Sequence, residues 1–210
     1  MIDHLVYATD DLERTVASFT ERLGVAPTPG GRHLGWGTRN ELVGLGGGAY
    51  LELVGPDRDQ PDPVGPRPFG IDDLAGERLV TWCARPDGTI EDAATRALAA
   101  GHDIGPIAEM SRRRPDDVVL SWRLTAPPLH GPFGGVVPFV IDWLDSEHPS
   151  VSLGAPLTLR SLHLRTPHAN QVQAVVDAIG GDPRLRIVAA AEVGLVADLD
   201  NGVRTTQLGR

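Results

Sequence analysis

Two side chains that lie far apart in the sequence, His4 and Glu52, have residue types and positions that suggest chemistry. His4 lies in a predicted strand at 2–8, and Glu52 lies in a predicted strand at 49–54. Side chains alternate between the two faces of a strand, so each of these residues points away from the leucines beside it. Because those leucines are expected to pack on a helix, we predict that the imidazole and the carboxylate face one shared hollow.

A buried imidazole beside a buried carboxylate has two interpretations. An unpaired buried charge is costly, and a divalent cation would compensate it. A nitrogen and an oxygen donor suit Zn, Fe, Mn, Ni or Co, and two protein ligands leave positions for water or substrate. The alternative is a His–Glu hydrogen bond without a metal. The spacing of His4 and Glu52 leaves both interpretations open.

The helix that must support the first strand is predicted to begin after Asp10. Asp10 and Glu13 have the spacing of a capping box, and Gly24 is a typical helix end. One apolar stripe runs along the helix and is formed by Leu12, Val16, Phe19 and Leu23. This stripe predicts that the helix packs on a sheet.

The sequence predicts three modules, 1–56, 77–145 and 157–210, which pack as one unit. Each module is predicted to contain a strand, a helix and then three strands. The predicted helix-ending glycines are Gly24, Gly101 and Gly180. Their separations of 77 and 79 residues (101 − 24 and 180 − 101) indicate an internal triplication. The Pro- and Asp-rich segment 56–76 and the segment 145–158 are interpreted as linkers.

Charge and composition exclude several classes of function. A net charge of −9 and a pI near 5.2 oppose binding to nucleic acid. The chain contains no lysine, which excludes Schiff-base chemistry and the lysine of a phosphate-binding loop. The run Arg112-Arg113-Arg114 is interpreted as a solvated loop, with an anion or substrate gate as the less favoured alternative, and Cys83 is interpreted as a thiol of the core. The absence of a leader and of a membrane-spanning stretch predicts a cytoplasmic protein.

Three segments of the sequence carry a resemblance to a known family. They are Asp3-His4-Leu5-Val6-Tyr7 with Asp11-Leu12-Glu13, then His33 to Asn40, and Tyr50-Leu51-Glu52-Leu53. Together they resemble a glyoxalase-like domain of the vicinal oxygen chelate superfamily, which includes glyoxalases, bleomycin resistance proteins and dioxygenases. The resemblance is strongest over 2–56 and extends more weakly to about residue 150. It implies an α+β fold in which repeated βαβββ modules form a cupped, incompletely closed mixed β-barrel with helices outside.

The resemblance also implies a divalent metal ion at His4 and Glu52. Asp142 is the additional candidate ligand, and Glu52 and Asp142 are the candidate catalytic carboxylates, although Asp142 also suits a hydrogen-bond acceptor at a sheet edge. The third module lacks such ligands and is expected to be degenerate and structural. The candidate substrate-binding residues are His33, Asn40, Trp143 and His148. Turn stabilisation is an equal alternative for His33 and Asn40.

Two functions from different classes remain open at this point. The first is a metal-dependent lyase, isomerase or dioxygenase that acts on a small oxygenated metabolite. The second is a metal-free protein that binds or sequesters a small molecule between aromatic side chains. The aromatic residues that motivate it are Trp36, Tyr50, Trp82, Trp122, Phe139 and Trp143. Both functions imply a small-molecule ligand and no nucleic-acid or membrane partner, and a homodimer is left open.

Overall fold

The computed structural model describes residues 1–126 and 133–209, which form an α+β fold with a closed eight-stranded barrel and a separate four-stranded sheet. The first five elements are β1 (Ile2–Thr9), α1 (Leu12–Leu23), β2 (Thr28–His33), β3 (Thr38–Gly44) and β4 (Tyr50–Pro56). The next five are β5 (Glu77–Ala84), α2 (Ile90–Ala99), β6 (Ile107–Arg113), β7 (Val119–Thr125) and β8 (Phe139–Asp142). The last five are β9 (Thr158–Thr166), α3 (Ala169–Ile179), β10 (Leu185–Ala189), β11 (Gly194–Asp200) and β12 (Thr205–Gly209).

The barrel strands follow the order β1-β4-β3-β2-β6-β7-β8-β5, and β5 pairs with β1 to close the circle. The predicted incomplete closure is therefore wrong. The first half of the barrel is β1-β4-β3-β2 and the second half is β6-β7-β8-β5. The edge strands of the two halves pair with each other: β1 pairs with β5, and β2 pairs with β6 through Arg32–Arg113 and His33–Arg112. Closure removes the free strand edges that an open cup would expose.

Helix α1 packs outside the barrel, and its ends are defined by two caps. Its N-cap is Asp11, one residue after the predicted Asp10, and the Asp11 side chain accepts a hydrogen bond from the backbone N–H of Arg14 at 3.1 Å. Gly24 ends the helix with a φ of 69°, a left-handed conformation that favours glycine. The buried face of α1 contains Leu12, Thr15, Phe19 and Leu23.

The third unit forms its own sheet, in the order β10-β9-β11-β12, and does not enter the barrel. The same order of elements occurs in the three units, whereas an internal triplication stays a prediction. Asp182 connects this unit to the barrel, because its carboxylate accepts a hydrogen bond from the backbone N–H of Ile2 at 2.8 Å. Burial alone would raise the pKa of Asp182, but hydrogen bonds from Arg184 and Ile2 lower it to about 2.

The segment 57–76 lies against the barrel rather than serving as a plain linker. It contains a 3₁₀ helix, Pro68–Asp73, whose Ile71 is buried with the apolar residues inside the barrel. Arg67 fastens the segment, since it donates hydrogen bonds to Asp72 at 2.7 Å and to the carbonyl of Gly37 at 3.1 Å. The segment 145–158 likewise contains a short 3₁₀ helix, Pro149–Val151.

Apolar side chains form two cores. The larger core lies between the outside of the barrel, the helices and the third sheet, and the smaller one fills part of the barrel interior. Cys83 is buried in the smaller core, as predicted for a core thiol. In the described part of the chain, no helix has the length and apolar character needed to cross a membrane.

Candidate active site

A polar hollow lies inside the barrel. Its open space is about 30 Å³, enough for one or two water-sized groups. The polar residues that line it are His4, His33, Asn40, Tyr50, Glu52 and Arg112. The other lining residues are mostly aromatic or aliphatic and include Phe69, Trp122, Phe139 and Trp143. The structure therefore brings His4 and Glu52 to one hollow.

The facing atoms of His4 and Glu52 are separated by more than a hydrogen-bond length. His4 Nε2 lies 3.8 Å from Glu52 Oε2, and both side chains are buried. The His4 ring stacks on Tyr50 with 4.7 Å between centroids, and Phe139 meets its edge at 5.4 Å. These two aromatic contacts fix the plane of the imidazole.

Asp3 determines which nitrogen of His4 carries the proton. Burial alone would raise the pKa of Asp3, but hydrogen bonds from His148 and His4 lower it well below its usual value, so Asp3 is a carboxylate and can only accept. Its Oδ1 lies 2.7 Å from His4 Nδ1. His4 Nδ1 therefore carries a proton and donates it to Asp3, and His4 Nε2 faces Glu52.

The second oxygen of Asp3 is surrounded by donors. Trp143 Nε1 donates to Oδ2 at 3.2 Å, and His148 Nε2 lies 3.0 Å away. His148 Nδ1 accepts from the backbone N–H of Ser150 at 3.2 Å, so His148 Nε2 carries a proton and donates it to Asp3. Arg85 Nε is 3.1 Å from the same oxygen, but its N–H is not directed at it. Asp3 is thus fully buried and paired.

The sequence prediction did not include Asp3 as a site residue. Its partners His4 and His148 are 1 and 145 residues away in the chain, and no local pattern connects them. Only the approach of the segment after β8 to the start of β1 creates this network.

Asn40 and His33 reach the hollow from the strand pair β2–β3. Asn40 Nδ2 donates to Glu52 Oε1 at 2.5 Å. His33 Nε2 lies 3.6 Å from the same oxygen, and His33 Nδ1 lies 2.9 Å from the hydroxyl of Thr38. Burial lowers the pKa of His33 to about 4, although the nearby Glu52 opposes this shift, so His33 is neutral at physiological pH.

Arg112 also lines the hollow, in contrast to the solvated loop predicted for it. It lies in β6, is 3% exposed, and donates from Nη1 to Asn40 Oδ1 at 3.2 Å. Alternation along β6 places Arg112 on the face of Met110, whereas Arg113 points outwards. The loop interpretation was wrong because a run of three arginines was treated as one solvated unit.

Asp142 does not join His4 and Glu52. Phe139 and Ile141 of β8 line the hollow, so strand alternation directs Asp142 to the outside of the barrel. There Asp142 Oδ2 accepts from Arg123 Nη2 at 2.6 Å, and Oδ1 accepts from the backbone N–H of Leu144 at 3.0 Å. The structure therefore gives Asp142 the environment of a hydrogen-bond acceptor at a strand end.

The two other predicted substrate-binding residues lie at different depths. Trp143 lines the hollow. His148 lines two outer clefts instead, and it contacts the site from behind through Asp3 and through the rings of Tyr50 and Trp143. Among the predicted residues, His4, His33, Asn40, Glu52 and Trp143 share the hollow, while Asp142 and His148 do not line it.

A second group of potential metal ligands, Asp3, His4 and Cys83, is compact and buried. Its chemistry does not suit a cation as it stands, because Asp3 and His4 already share a proton at Nδ1. Burial, together with the charges of Asp3 and Glu52, raises the pKa of Cys83 well above its usual value and keeps it a thiol. Metals bind the thiolate, so we interpret this group as a hydrogen-bonded support for His4.

Comparisons with known proteins agree on the fold. A family model described as "Glyoxalase-like domain" matches residues 2–180. A hypothetical protein from Staphylococcus aureus has a TM-score of 0.65 at 15% identity, covering 91% of this chain and 87% of that one, which shows the fold alone. No curated protein sequence gives a significant match.

Two methylmalonyl-CoA epimerase structures have lower similarity. The enzyme from Mycobacterium tuberculosis has a TM-score of 0.36 at 16% identity, covering 67% of this chain and 84% of that one. A substituted variant of the Streptomyces coelicolor enzyme, in complex with 2-nitronate-propionyl-CoA, has a TM-score of 0.43 at 20% identity, covering 71% of this chain and 98% of that one. At these scores neither likeness carries an argument about this chain.

Proposed function

The chain belongs to the glyoxalase-like domain family, and on that premise we propose that it is an enzyme that holds a divalent metal ion between His4 and Glu52 and acts on a small oxygenated metabolite. The reaction would be that of a lyase, an isomerase or a dioxygenase. A small-molecule ligand and cytoplasmic localisation belong to the same proposal, in which nucleic acid and membranes have no part.

One observation carries the proposal: an imidazole nitrogen and a carboxylate oxygen face each other in the hollow without a hydrogen bond. His4 Nε2 and Glu52 Oε2 are 3.8 Å apart, and Asp3 keeps the His4 proton on the other nitrogen. Adjacent ligand atoms that bind one metal at about 2.0–2.2 Å lie roughly 2.8–3.6 Å from each other, so binding a metal would draw His4 Nε2 and Glu52 Oε2 slightly closer together. The pair therefore fits a shared cation better than it fits a direct hydrogen bond.

The residues around this pair have definable tasks. Asn40 orients the Glu52 carboxylate, and Asp3 orients the His4 ring in the manner of supporting carboxylates in metal sites. His33 Nε2 lies 3.4 Å from the NH₂ group of Asn40 and is therefore an acceptor, which a ligand hydroxyl can also use. A bound divalent ion would polarise substrate oxygens and stabilise enolate-like charge. Glu52 is the carboxylate placed to exchange a proton with a ligand in the hollow.

Asp142 is left out of the proposed ligand set because it lies outside the hollow and is bonded to Arg123. The protein would thus supply two ligands rather than three. The remaining coordination positions would be open to water and to the oxygens of the substrate.

A metal-free binding protein is the second candidate, and the aromatic walls of the hollow favour it. Tyr50, Trp122 and Phe139 line the hollow, and their faces would contact an apolar ligand once the lining side chains move to admit it. Such a protein would release its ligand unchanged after prolonged incubation, whereas an enzyme would convert it.

The test of the metal site is elemental analysis of protein purified without an affinity tag, followed by Mn²⁺ titration monitored by electron paramagnetic resonance. We expect one bound divalent ion per chain and a loss of tight Mn²⁺ binding in His4→Gln and Glu52→Gln. Matched controls are His163→Gln and Asp142→Asn, which change the same residue type or charge outside the hollow. Equal Mn²⁺ affinity in all four variants would overturn the proposed metal site.

A further inference from the structure

Arg112 is a buried cation that the proposed metal site does not explain. Its side chain is 3% exposed, and it is the one buried arginine in the described residues. Among those residues, its only hydrogen bond runs from Nη1 to Asn40 Oδ1, and its buried Nε has no partner. No carboxylate of the described residues lies within ion-pair distance of the guanidinium.

The nearest negative charge in the hollow is separated from Arg112 by an amide. Asn40 accepts from Arg112 through Oδ1 and donates to Glu52 through Nδ2 at 2.5 Å. Arg112 therefore polarises the amide that holds Glu52 but does not touch the carboxylate. A guanidinium carries five N–H donors and keeps its charge in proteins, so most of its hydrogen-bonding capacity is left unused here.

The position of Arg112 makes this capacity available to a ligand. Arg112 lines the inner hollow and also an outer cleft of about 380 Å³ that contains Leu42, Leu120 and His148. Gly30 allows Asn40 and Arg112 to approach the backbone of β2 closely: a Cβ on Gly30 would lie 2.2 Å from Asn40 Oδ1 and 3.0 Å from Arg112 Nη1. The charged group thus stands where the cleft and the hollow meet.

We infer that Arg112 binds the carboxylate group of a small acid, so that the substrate of the proposed enzyme is a short carboxylic acid with further oxygens. A planar carboxylate matches the two parallel N–H groups of a guanidinium fork, and the pair neutralises the buried charge. The aromatic side chains Trp122 and Phe139 also line the hollow and present apolar surface to the rest of a small acid. The assignment of the substrate rests on the proposed function, whereas binding of the carboxylate does not.

The experiment is a titration of ¹⁵N-labelled, EDTA-treated protein with propionate, with neutral propionamide as the isosteric control. Two-dimensional NMR detects arginine Nε–H groups, and the Arg112 signal is assigned by its absence from Arg112→Met and Arg112→Lys. Arg113→Met is the matched control, because Arg113 is the next residue of the same strand, points outwards and is exposed. Inorganic phosphate forms a separate arm of the titration.

We expect propionate, but not propionamide, to shift the Arg112 Nε–H signal. Arg112→Met should weaken propionate binding by roughly tenfold to a hundredfold, Arg112→Lys by less, and Arg113→Met not at all. Equal binding of propionate and propionamide, unchanged affinity in Arg112→Met, or a response to phosphate alone would each overturn the inference. Either variant suffices for the assignment if the other fails to fold.

A parallel Mn²⁺ titration of the wild-type protein separates this inference from the proposed function. Propionate binding without any bound Mn²⁺ would refute the metal site and leave the carboxylate site standing. Mn²⁺ binding without a propionate response at Arg112 would refute the carboxylate site and leave the metal site standing.

Discussion

Replacement of Asp3 by asparagine tests the support of the proposed site directly. Asp3 is fully buried and accepts from His4 and His148 as well as from Trp143. The amide of asparagine keeps one acceptor oxygen and turns an NH₂ group towards other donors. At least one charge-assisted hydrogen bond is lost and one buried donor is left unpaired, each costing about 1.5–3 kcal/mol. We expect Asp3→Asn to lower the free energy of unfolding by about 3–6 kcal/mol.

The same change should weaken the proposed metal site. Without the carboxylate, His4 is no longer held with its proton on Nδ1, and the lone pair on Nε2 is no longer assured. Loss of a supporting carboxylate typically lowers metal affinity by about 10- to 100-fold. Urea unfolding monitored by circular dichroism gives the stability, and Mn²⁺ titration of the folded protein gives the affinity.

Asp142→Asn is the matched control for this experiment. Its carboxylate is 36% exposed and is bonded to Arg123, so its loss should cost less than about 1 kcal/mol and leave Mn²⁺ affinity unchanged. The reasoning fails if Asp3→Asn unfolds at the same urea concentration as Asp142→Asn and binds Mn²⁺ equally well.

Two further predictions concern stability. The pKa of Asp182 is about 2, below its value of 3.8 in an unfolded chain, so its contribution is present above about pH 4 and is lost as the pH falls towards 2. Asp182→Asn should cost up to about 2 kcal/mol at neutral pH and flatten this acid loss in urea unfolding; an unchanged pH profile would contradict the assignment. Gly30→Ala should destabilise the fold by about 1–3 kcal/mol through a clash with Asn40 Oδ1. Gly65→Ala, where the described residues leave open space, is its control, and equal melting temperatures would refute the clash.

Periodicity predicted those parts of the fold that depend on local pattern. Helix α1, its end at Gly24 and the common face of His4 and Glu52 follow from spacings of about 3.6 and 2 residues. The closure of the barrel was not predictable in this way, because it depends on the pairing of β2 with β6 across 79 residues (112 − 33, for His33 and Arg112). A local sequence pattern carries no information about the pairing of strands that lie so far apart in the chain.

The positions of two residues, Arg112 and Asp142, differ from those predicted from the sequence. Alternation along β6 would have placed Arg112 with Met110 on one face, but the arginines at 113 and 114 favoured a loop. Asp142 was chosen because alignment of the terminal strands of the modules puts it near Glu52, although alternation with Phe139 and Ile141 directs it outwards. The face of a strand can be predicted from its sequence once its boundaries are known, and the boundaries were the missing information.

The Arg67-fastened segment sets a condition on the timing of any reaction. Phe69 lines the hollow and also an outer cleft, so it forms the partition between them. Its φ of 63° is unfavourable for a residue with a side chain, by about 1–3 kcal/mol, and is maintained by the contacts of its neighbours. An open space of about 30 Å³ is smaller than a metabolite of several heavy atoms, so such a molecule would reach Glu52 only after lining side chains move, and Phe69 is one of these side chains. If the movement of Phe69 limits turnover, loosening the contacts of Arg67 would raise the rates of substrate entry and product exit together.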